Sequence, residues 1–155
     1  MNGRIFQLNC SGGGVPKRAV REAFLTPSGL DSDRQSNHRL HGGSERALCL
    51  YALEHILELQ AEGHPIFPGS VGENVTAFGL DWNAVGRGVR LALGDEVLVE
   101  ISNFATPCKT IIDSFSDGDF KRISQKRRPG QSRLYARVLQ PGRLAVGQTI
   151  RLFTT

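Results

Sequence analysis

The sequence predicts a mainly β protein: an antiparallel β-barrel-like fold with one main α-helix and short peripheral helices packed on its outside. Three observations carry this. Eighteen glycines punctuate short apolar segments, which favours strands and tight turns over a helical bundle. Val97, Val99 and Ile101 alternate with Leu98 and Glu100, the period-two pattern of a strand with one firmly apolar face. Only residues 45–62 carry a sustained stripe at helical spacing, so the order is strands, one helix, then more strands.

Taken in order, the predicted strands are 5–8, 19–25, 89–93, 96–101, 133–139 and 149–153. The helix over 45–62 rests on Leu48, Ala52, Leu53, Ile56, Leu57 and Leu59. Ser44 suits its N-cap, Gly63 its C′ position, and Pro65 stops it. A shorter helix is predicted over 116–123, where acidic residues lead and basic ones follow, as the helix dipole prefers. The segment 126–132 (KRRPGQS) reads as a mobile basic loop. No repeat, low-complexity tract or linker interrupts the chain, so residues 1–155 are read as a single domain.

Composition narrows the class. With 39% hydrophobic and 22% charged residues, the 155-residue chain is globular rather than disordered and has room for one core. No apolar run reaches membrane-spanning length, and residues 1–10 lack the apolar stretch of a signal peptide. The expectation is a cytoplasmic protein with no membrane partner. The net charge of +4 is concentrated in 17–21 and 121–137. Aromatics do not interleave with these basic residues as a nucleic-acid stacking platform requires. A small phosphate-bearing anion accounts for them equally well. Cys10, Cys49 and Cys108 are odd in number and widely spaced. That argues against a zinc site and a disulfide framework, and for free thiols in a reducing compartment.

The chemistry-bearing residues lie in loops. Cys108 follows a predicted strand, after Pro107, with Lys109 beside it. Pro107 ends ladder pairing, and the lysine favours the thiolate, the reactive form of cysteine. The plainer reading is a small buried side chain. Cys49 lies inside the predicted helix and reads as core. Cys10 precedes Ser11-Gly12-Gly13-Gly14 and reads as a neutral loop residue. His41-Gly42-Gly43 leads into the predicted helix start, where free backbone N–H groups bind anions and a histidine transfers protons; alternatively the glycines only supply a turn. Glu73 and Asn74 either line a pocket or fix the turn around Gly72. His38, His55 and His64 show no metal-ligand spacing, and His55 reads as surface or edge packing. No nucleophile elbow, Walker loop or Rossmann fingerprint occurs.

In order along the chain, these motifs resemble the MOSC domain family, named for the C-terminal domain of molybdenum cofactor sulfurase. Gly14-Val15-Pro16-Lys17 is similar to its early glycine-proline-lysine turn. Gly29-Leu30 with Asp33, then His41-Gly42-Gly43 and Arg46-Ala47, is similar to its central stretch. Gly72-Glu73-Asn74-Val75-Thr76 with Gly79-Leu80 resembles its G-E-N-x-T block, Pro107-Cys108 its signature cysteine, and Tyr135-Ala136-Arg137-Val138 the closing strand of small stand-alone bacterial members. Ser32 stands where a glycine is common, and Ser132-Arg133-Leu134 is less glycine-rich than usual.

The resemblance implies a barrel-like fold and a role around the molybdenum cofactor (molybdopterin). Cys108 would ligate molybdenum or carry sulfur as a persulfide, with His41 as a second reacting group. Lys17, Gly42, Gly43, Arg46, Glu73, Asn74, Lys109, Arg127 and Arg128 would surround the cofactor, the basic ones facing its phosphate. The pyridoxal-phosphate desulfurase domain of the larger sulfurases has no counterpart here, so pyridoxal phosphate is not expected. Three functions follow as expectations: an oxidoreductase acting on N-oxygenated compounds, a carrier delivering sulfur or sulfurated cofactor to partner proteins, and, from the charge alone, a nucleic-acid-associated barrel. No flavin, haem or iron–sulfur motif is visible, so a reductase would need a redox partner protein.

Overall fold

The computed structural model describes residues 2–33 and 43–153. In chain order the strands are β1 (Asn2–Cys10), β2 (Arg18–Val20), β3 (Glu22–Thr26), β4 (Gly29–Leu30), β5 (Leu48–Ala52), β6 (Val75–Phe78), β7 (Arg90–Leu93), β8 (Val97–Phe104), β9 (Leu134–Gln140), β10 (Gly142–Ala145) and β11 (Thr149–Phe153). The helix α1 (Leu53–Ala61) lies between β5 and β6. Seven strands pair in the order β11-β7-β8-β9-β5-β6-β1, and β1 pairs back to β11, closing a barrel. β2 adds to the outside of β1, while β3, β4 and β10 form a separate three-stranded sheet.

The predicted barrel is present, but it is mixed rather than antiparallel. β5 and β6 run parallel, and the other six neighbouring pairs of the ring are antiparallel. The reason is parity: a closed ring of seven strands cannot alternate direction all the way round. A parallel pair needs a long crossover, and here α1 with the loop after it supplies one.

That crossover also corrects the predicted helix over 45–62. Only its second half is helical. Ser44–Arg46 forms a 3-10 turn and Leu48–Ala52 is the strand β5. All five β5 residues are buried. A strand covered on both faces is a continuous apolar run, which periodicity cannot separate from a buried helix. Cys49 is therefore a strand residue, though buried as expected. The C-terminal expectation holds: Gly63 takes φ +99°, the left-handed conformation that ends a helix. The predicted helix over 116–123 reduces to a 3-10 turn at Phe120–Ile123, preceded by a turn at Gly118 with φ +72°. The predicted strand 19–25 breaks at Arg21 into β2 and β3, which pair with β1 and β10 respectively.

The strand registers divide the barrel wall into two faces. Inside lie Leu48 and Leu50 of β5, Val75 and Ala77 of β6, Ile101 of β8, and Leu134 and Ala136 of β9, all in one buried cluster. Alternation puts Cys49 and Tyr51 of β5 and Tyr135 of β9 on the other face, where loops cover them. Cys49 pairs directly with Tyr135 and packs with it and Ala105 in a second, small cluster. This outer face carries the candidate site. Among the described residues no helix is long and apolar enough to cross a membrane.

Candidate functional site

Cys108 sits where β8 leaves the sheet. The Ala105 N–H still bonds the Arg133 carbonyl at 3.0 Å, which extends the ladder by one rung. After buried Pro107 the chain turns at Cys108, the N-cap residue of a 3-10 segment, Lys109–Ser114. The Cys108 carbonyl accepts from Ile111 N–H at 3.2 Å, and its Sγ lies 2.9 Å from Thr110 Oγ1. Cys108 is partly exposed, whereas Cys10 and Cys49 are buried. Burial pushes the Cys49 thiol up to about 11 and raises that of Cys10 as well, against the Ser32 hydroxyl hydrogen bond.

Tyr135 links Cys108 to the outer face. Burial pushes its phenol up to about 12, with Cys49 and Cys108 adding to the rise and Arg133 and Arg46 opposing it. Arg46 stacks over the Tyr135 ring at 5.3 Å, a cation–π contact. The 3-10 segment after Cys108 packs on the loop before β6: Ser114 Oγ lies 3.0 Å from Ser70 Oγ. Arg133 donates from Nη1 to the Val71 carbonyl of the same loop at 2.7 Å. The segment after Cys108 and the Arg133 side chain thus both contact the Ser70–Val71 stretch that leads into Gly72-Glu73-Asn74.

Asn74 and Glu73 are buried members of a polar lattice behind that region. Asn74 Oδ1 accepts from the Cys49 N–H at 3.0 Å, and Asn74 N–H donates to the Cys49 carbonyl at 2.7 Å. Its Nδ2 donates to Asp33 Oδ2 at 2.9 Å and to the Asn9 carbonyl at 3.3 Å. One side chain thus ties β5, β1 and the segment after β4 together. Asp33 also accepts from Lys17 Nζ at 2.7 Å and from the Ser11 N–H at 2.9 Å. Glu73 is fully buried, and Thr76 donates to its Oε2 at 3.0 Å. Burial raises its carboxyl above the usual range. Gly69 and Glu73 N–H groups approach it, without a well-aligned bond on Oε1, and with Thr76 and the charge of Arg133 they oppose the rise. Gly69 has its own reason to be glycine: at φ +92°, a Cβ would sit 2.4 Å from the Lys17 carbonyl.

The remaining predicted site residues fall as follows. Gly43 is exposed, with φ +95° at the start of the Ser44–Arg46 turn. His41 and Gly42 lie outside the described residues. Lys17 is buried with its charge committed to Asp33, while Lys109 is exposed beside Cys108. Arg127 forms a two-pronged pair with Asp119, at 2.8 and 2.7 Å. Arg128 is exposed, and the loop carrying both arginines is tied by Arg128 N–H to the Ser124 carbonyl at 2.8 Å. His55 is half-buried between the Tyr51 and Trp82 rings, with Nδ1 lacking a partner. Arg133 is not among the sequence-predicted site residues; the sequence places it at the start of the predicted strand 133–139, inside the basic cluster 121–137. Its signal was a charge directly before a strand whose next residues, Leu134-Tyr135-Ala136, are apolar.

A closed, mixed seven-stranded barrel with one main helix, a partly exposed cysteine beyond β8 and a buried Glu73-Asn74 pair defines a class of small barrel domains. The chain belongs to the MOSC domain family, whose profile matches residues 37–151, a family associated with the molybdenum cofactor. It is 29% identical over 143 residues to the uncharacterized protein YflK of Bacillus subtilis (strain 168), covering 91% of this chain and 63% of that one. It is 30% identical over 135 residues to protein YiiM of Escherichia coli (strain K12), covering 84% of this chain and 59% of that one. The chain thus spans about six tenths of the length of these two relatives. A protein named Reductase from Gibberella moniliformis (strain M3125 / FGSC 7600) is 30% identical over 133 residues, 23% of its length. The crystal structure of Escherichia coli YiiM superposes with a TM-score of 0.75 at 25% identity, covering all of this chain and 71% of that one. The YuaD protein of Bacillus subtilis superposes at 0.79 with 15% identity, over 97% of its chain, and shares the fold alone.

Proposed function

We propose that this protein is a molybdenum-cofactor oxidoreductase acting on N-oxygenated compounds through Cys108. The observation that carries the reading is the contrast among the three thiols: Cys108 alone is partly exposed, and Pro107-Cys108 is the pair that resembles the family's signature cysteine.

The residues fit the cofactor in two respects. The partly exposed Cys108 offers a single soft donor, which suits a metal that brings most of its own ligands. Molybdopterin does this through its sulfur atoms and leaves the protein to supply a soft thiolate, the chemistry Cys108 offers. Its phosphate needs cations, and Arg46 and Arg133 flank Tyr135, with Lys109 exposed beside Cys108. When bound, the cofactor supplies two-electron redox chemistry. Conversion of an N-hydroxyl to N–H and water consumes two electrons and two protons, and the electrons come from a redox partner protein. In this reading Cys108 holds the metal, Arg46 keeps the Tyr135 ring in place, and the Asn74 lattice fixes β5 beneath both. The Reductase relative supports an oxidoreductase in the family, though the shared region is a minor part of that protein.

The partial exposure of Cys108 also suits the second reading, a sulfur carrier. One experiment separates the two. Wild type and Cys108→Ser are purified from a host that makes molybdenum cofactor, then analysed for metal and for persulfide by mass spectrometry. Molybdenum near one per chain, lost in the variant, is the expected result. Persulfide on Cys108 without metal moves the assignment to the carrier.

A further inference from the structure

Three cations lie buried among the described residues: Lys17, Arg122 and Arg133. Two carry their counter-charge with them. Lys17 Nζ lies 2.7 Å from Asp33, and Arg122 Nη2 lies 3.0 Å from Glu62. Arg133, only 5% exposed, differs. Among the described residues no carboxylate comes within ion-pair distance of it; Nη1 reaches the Val71 carbonyl, and Nε has no acceptor. A guanidinium withdrawn from water without a counter-ion is strongly unfavourable. Glu73 interacts with its charge electrostatically but makes no ion pair with it. The fold therefore holds a buried guanidinium with an unmet donor and no carboxylate in direct contact among the described residues.

The location says where the anion would sit. Because the Arg133 carbonyl still accepts from Ala105 N–H, strand alternation puts its side chain on the same face as Tyr135. Arg46, which also makes no ion pair among the described residues, covers the Tyr135 ring at 5.3 Å. Cys108 belongs to the same neighbourhood: it follows by three residues Ala105, which bonds the Arg133 carbonyl and packs against Tyr135. A guanidinium offers paired N–H donors that match two oxygens of a tetrahedral oxyanion.

We propose that Arg133 is an oxyanion-binding residue of the Cys108 site, anchoring a phosphate-sized tetrahedral group beside the thiol. The inference deepens the reading given above and rests on Cys108 and Arg133 sharing one site. Its test does not need loaded enzyme. Wild type, Arg133→Lys and Arg133→Gln are titrated with inorganic phosphate and with molybdate by calorimetry, and Cys108 alkylation is timed at each anion concentration. Wild type is expected to bind saturably and to alkylate more slowly as it fills. Arg133→Gln should bind at least roughly tenfold more weakly, the loss of a charged hydrogen-bonding group. Arg133→Lys should fall between, since it keeps charge without the fork. Competition by phenyl phosphate at equal affinity marks a phosphate ester as the natural source, and its exclusion marks a free oxyanion; both keep the assignment. Absence of saturable binding by wild type overturns the proposal, as does equal affinity in all three proteins. Binding that leaves Cys108 alkylation unchanged also overturns it, because the anion then lies elsewhere. Should Arg133→Gln fail to fold, the wild-type and lysine arms decide. Alkylation of Cys49 before Cys108 would instead sink the thiol reading and leave the anion measurement intact.

Discussion

Cys49 and Cys108 both act on the Tyr135 hydroxyl, and they differ in almost everything that governs a thiol. Cys49 is a ladder residue in the middle of β5, with its N–H and carbonyl both bonded to Asn74. It is 6% exposed, and burial pushes its thiol up to about 11. Cys108 stands four residues beyond the end of β8, after a proline, with its Sγ 2.9 Å from the Thr110 hydroxyl and partly open to solvent. The difference teaches that reactivity here is set by where the ladder stops. The same residue type is buried, with its thiol raised, inside the strand, and open to solvent once the strand has ended.

The largest effect should appear in alkylation of the native protein. A thiol near 11 rather than 9 carries about a hundredfold less thiolate at neutral pH, and burial slows attack further. Mass spectrometry after mild iodoacetamide should find label on Cys108 before any on Cys49 or Cys10. Cys108→Ser should remove the fast phase. A fast phase that survives this substitution would break the comparison.

Stability should follow the opposite order. Asn74→Ala removes the acceptor of the Cys49 N–H and the donor to the Asn9 carbonyl, both buried, and the part-buried bond to Asp33. The expected cost is about 2–4 kcal/mol, read as a lower urea midpoint. Cys108→Ser should stay within about 0.5 kcal/mol of wild type. A loss under about 1 kcal/mol for Asn74→Ala would show that the lattice is not what holds Cys49 in place.

The two thiols also mark how far the sequence could be read. Cys108 was legible because its cues are local: a strand, a proline, a cation. The terminal strand was legible too, with 149–153 matching β11 residue for residue. β5 was not, because Leu48 and Leu50 face the barrel core while Cys49 and Tyr51, on the other face, are buried as well; burial on both faces erased its period. β6 was missed because its four residues follow a turn motif and owe their strand form to pairing with β1 and β5, both distant in sequence. The set of residues that the resemblance would place around a cofactor includes Lys17 and omits Arg133, because nothing local shows that Lys17 is held by Asp33 while Arg133 has no carboxylate within ion-pair distance. Counter-charges are assigned by tertiary contacts, and a single sequence does not display them.

Glu73 supplies a smaller, pH-dependent effect on the Cys49 side. Burial raises its folded-state carboxyl above the unfolded value. A carboxyl shifted upward contributes stability that is fully present below its unfolded pKa and is lost as pH rises through the folded one. Glu73→Gln keeps a side chain for Thr76 to bond and removes the ionisation. The variant should therefore gain on wild type as pH rises from about 4 to 8, measured as the difference in urea midpoint at each pH. Parallel profiles would mean that Arg133 compensates the charge fully. That outcome would also weaken the case for an external anion, since the guanidinium would already have its partner.

The smallest effect is expected from the exposed arginines. The family resemblance places Arg127 and Arg128 near the cofactor phosphate, but Arg127 is already neutralised by Asp119 through two short hydrogen bonds. An exposed pair of this kind contributes little, and recruiting Arg127 to an anion would first require breaking it. Arg128 is held through its backbone, so its side chain is the freer of the two. The Arg127→Ala/Arg128→Ala double variant should leave the melting temperature unchanged and alter phosphate affinity by less than about twofold, against roughly tenfold for Arg133→Gln. The same titration, run at two salt concentrations, separates a general electrostatic pull from a site. A weak contribution from the double variant should fade with salt, whereas that of Arg133, shielded from solvent, should persist. If the double variant loses more affinity than Arg133→Gln, the anion is held by the 126–132 loop. The buried guanidinium would then serve the lattice around Cys49 rather than the thiol at Cys108.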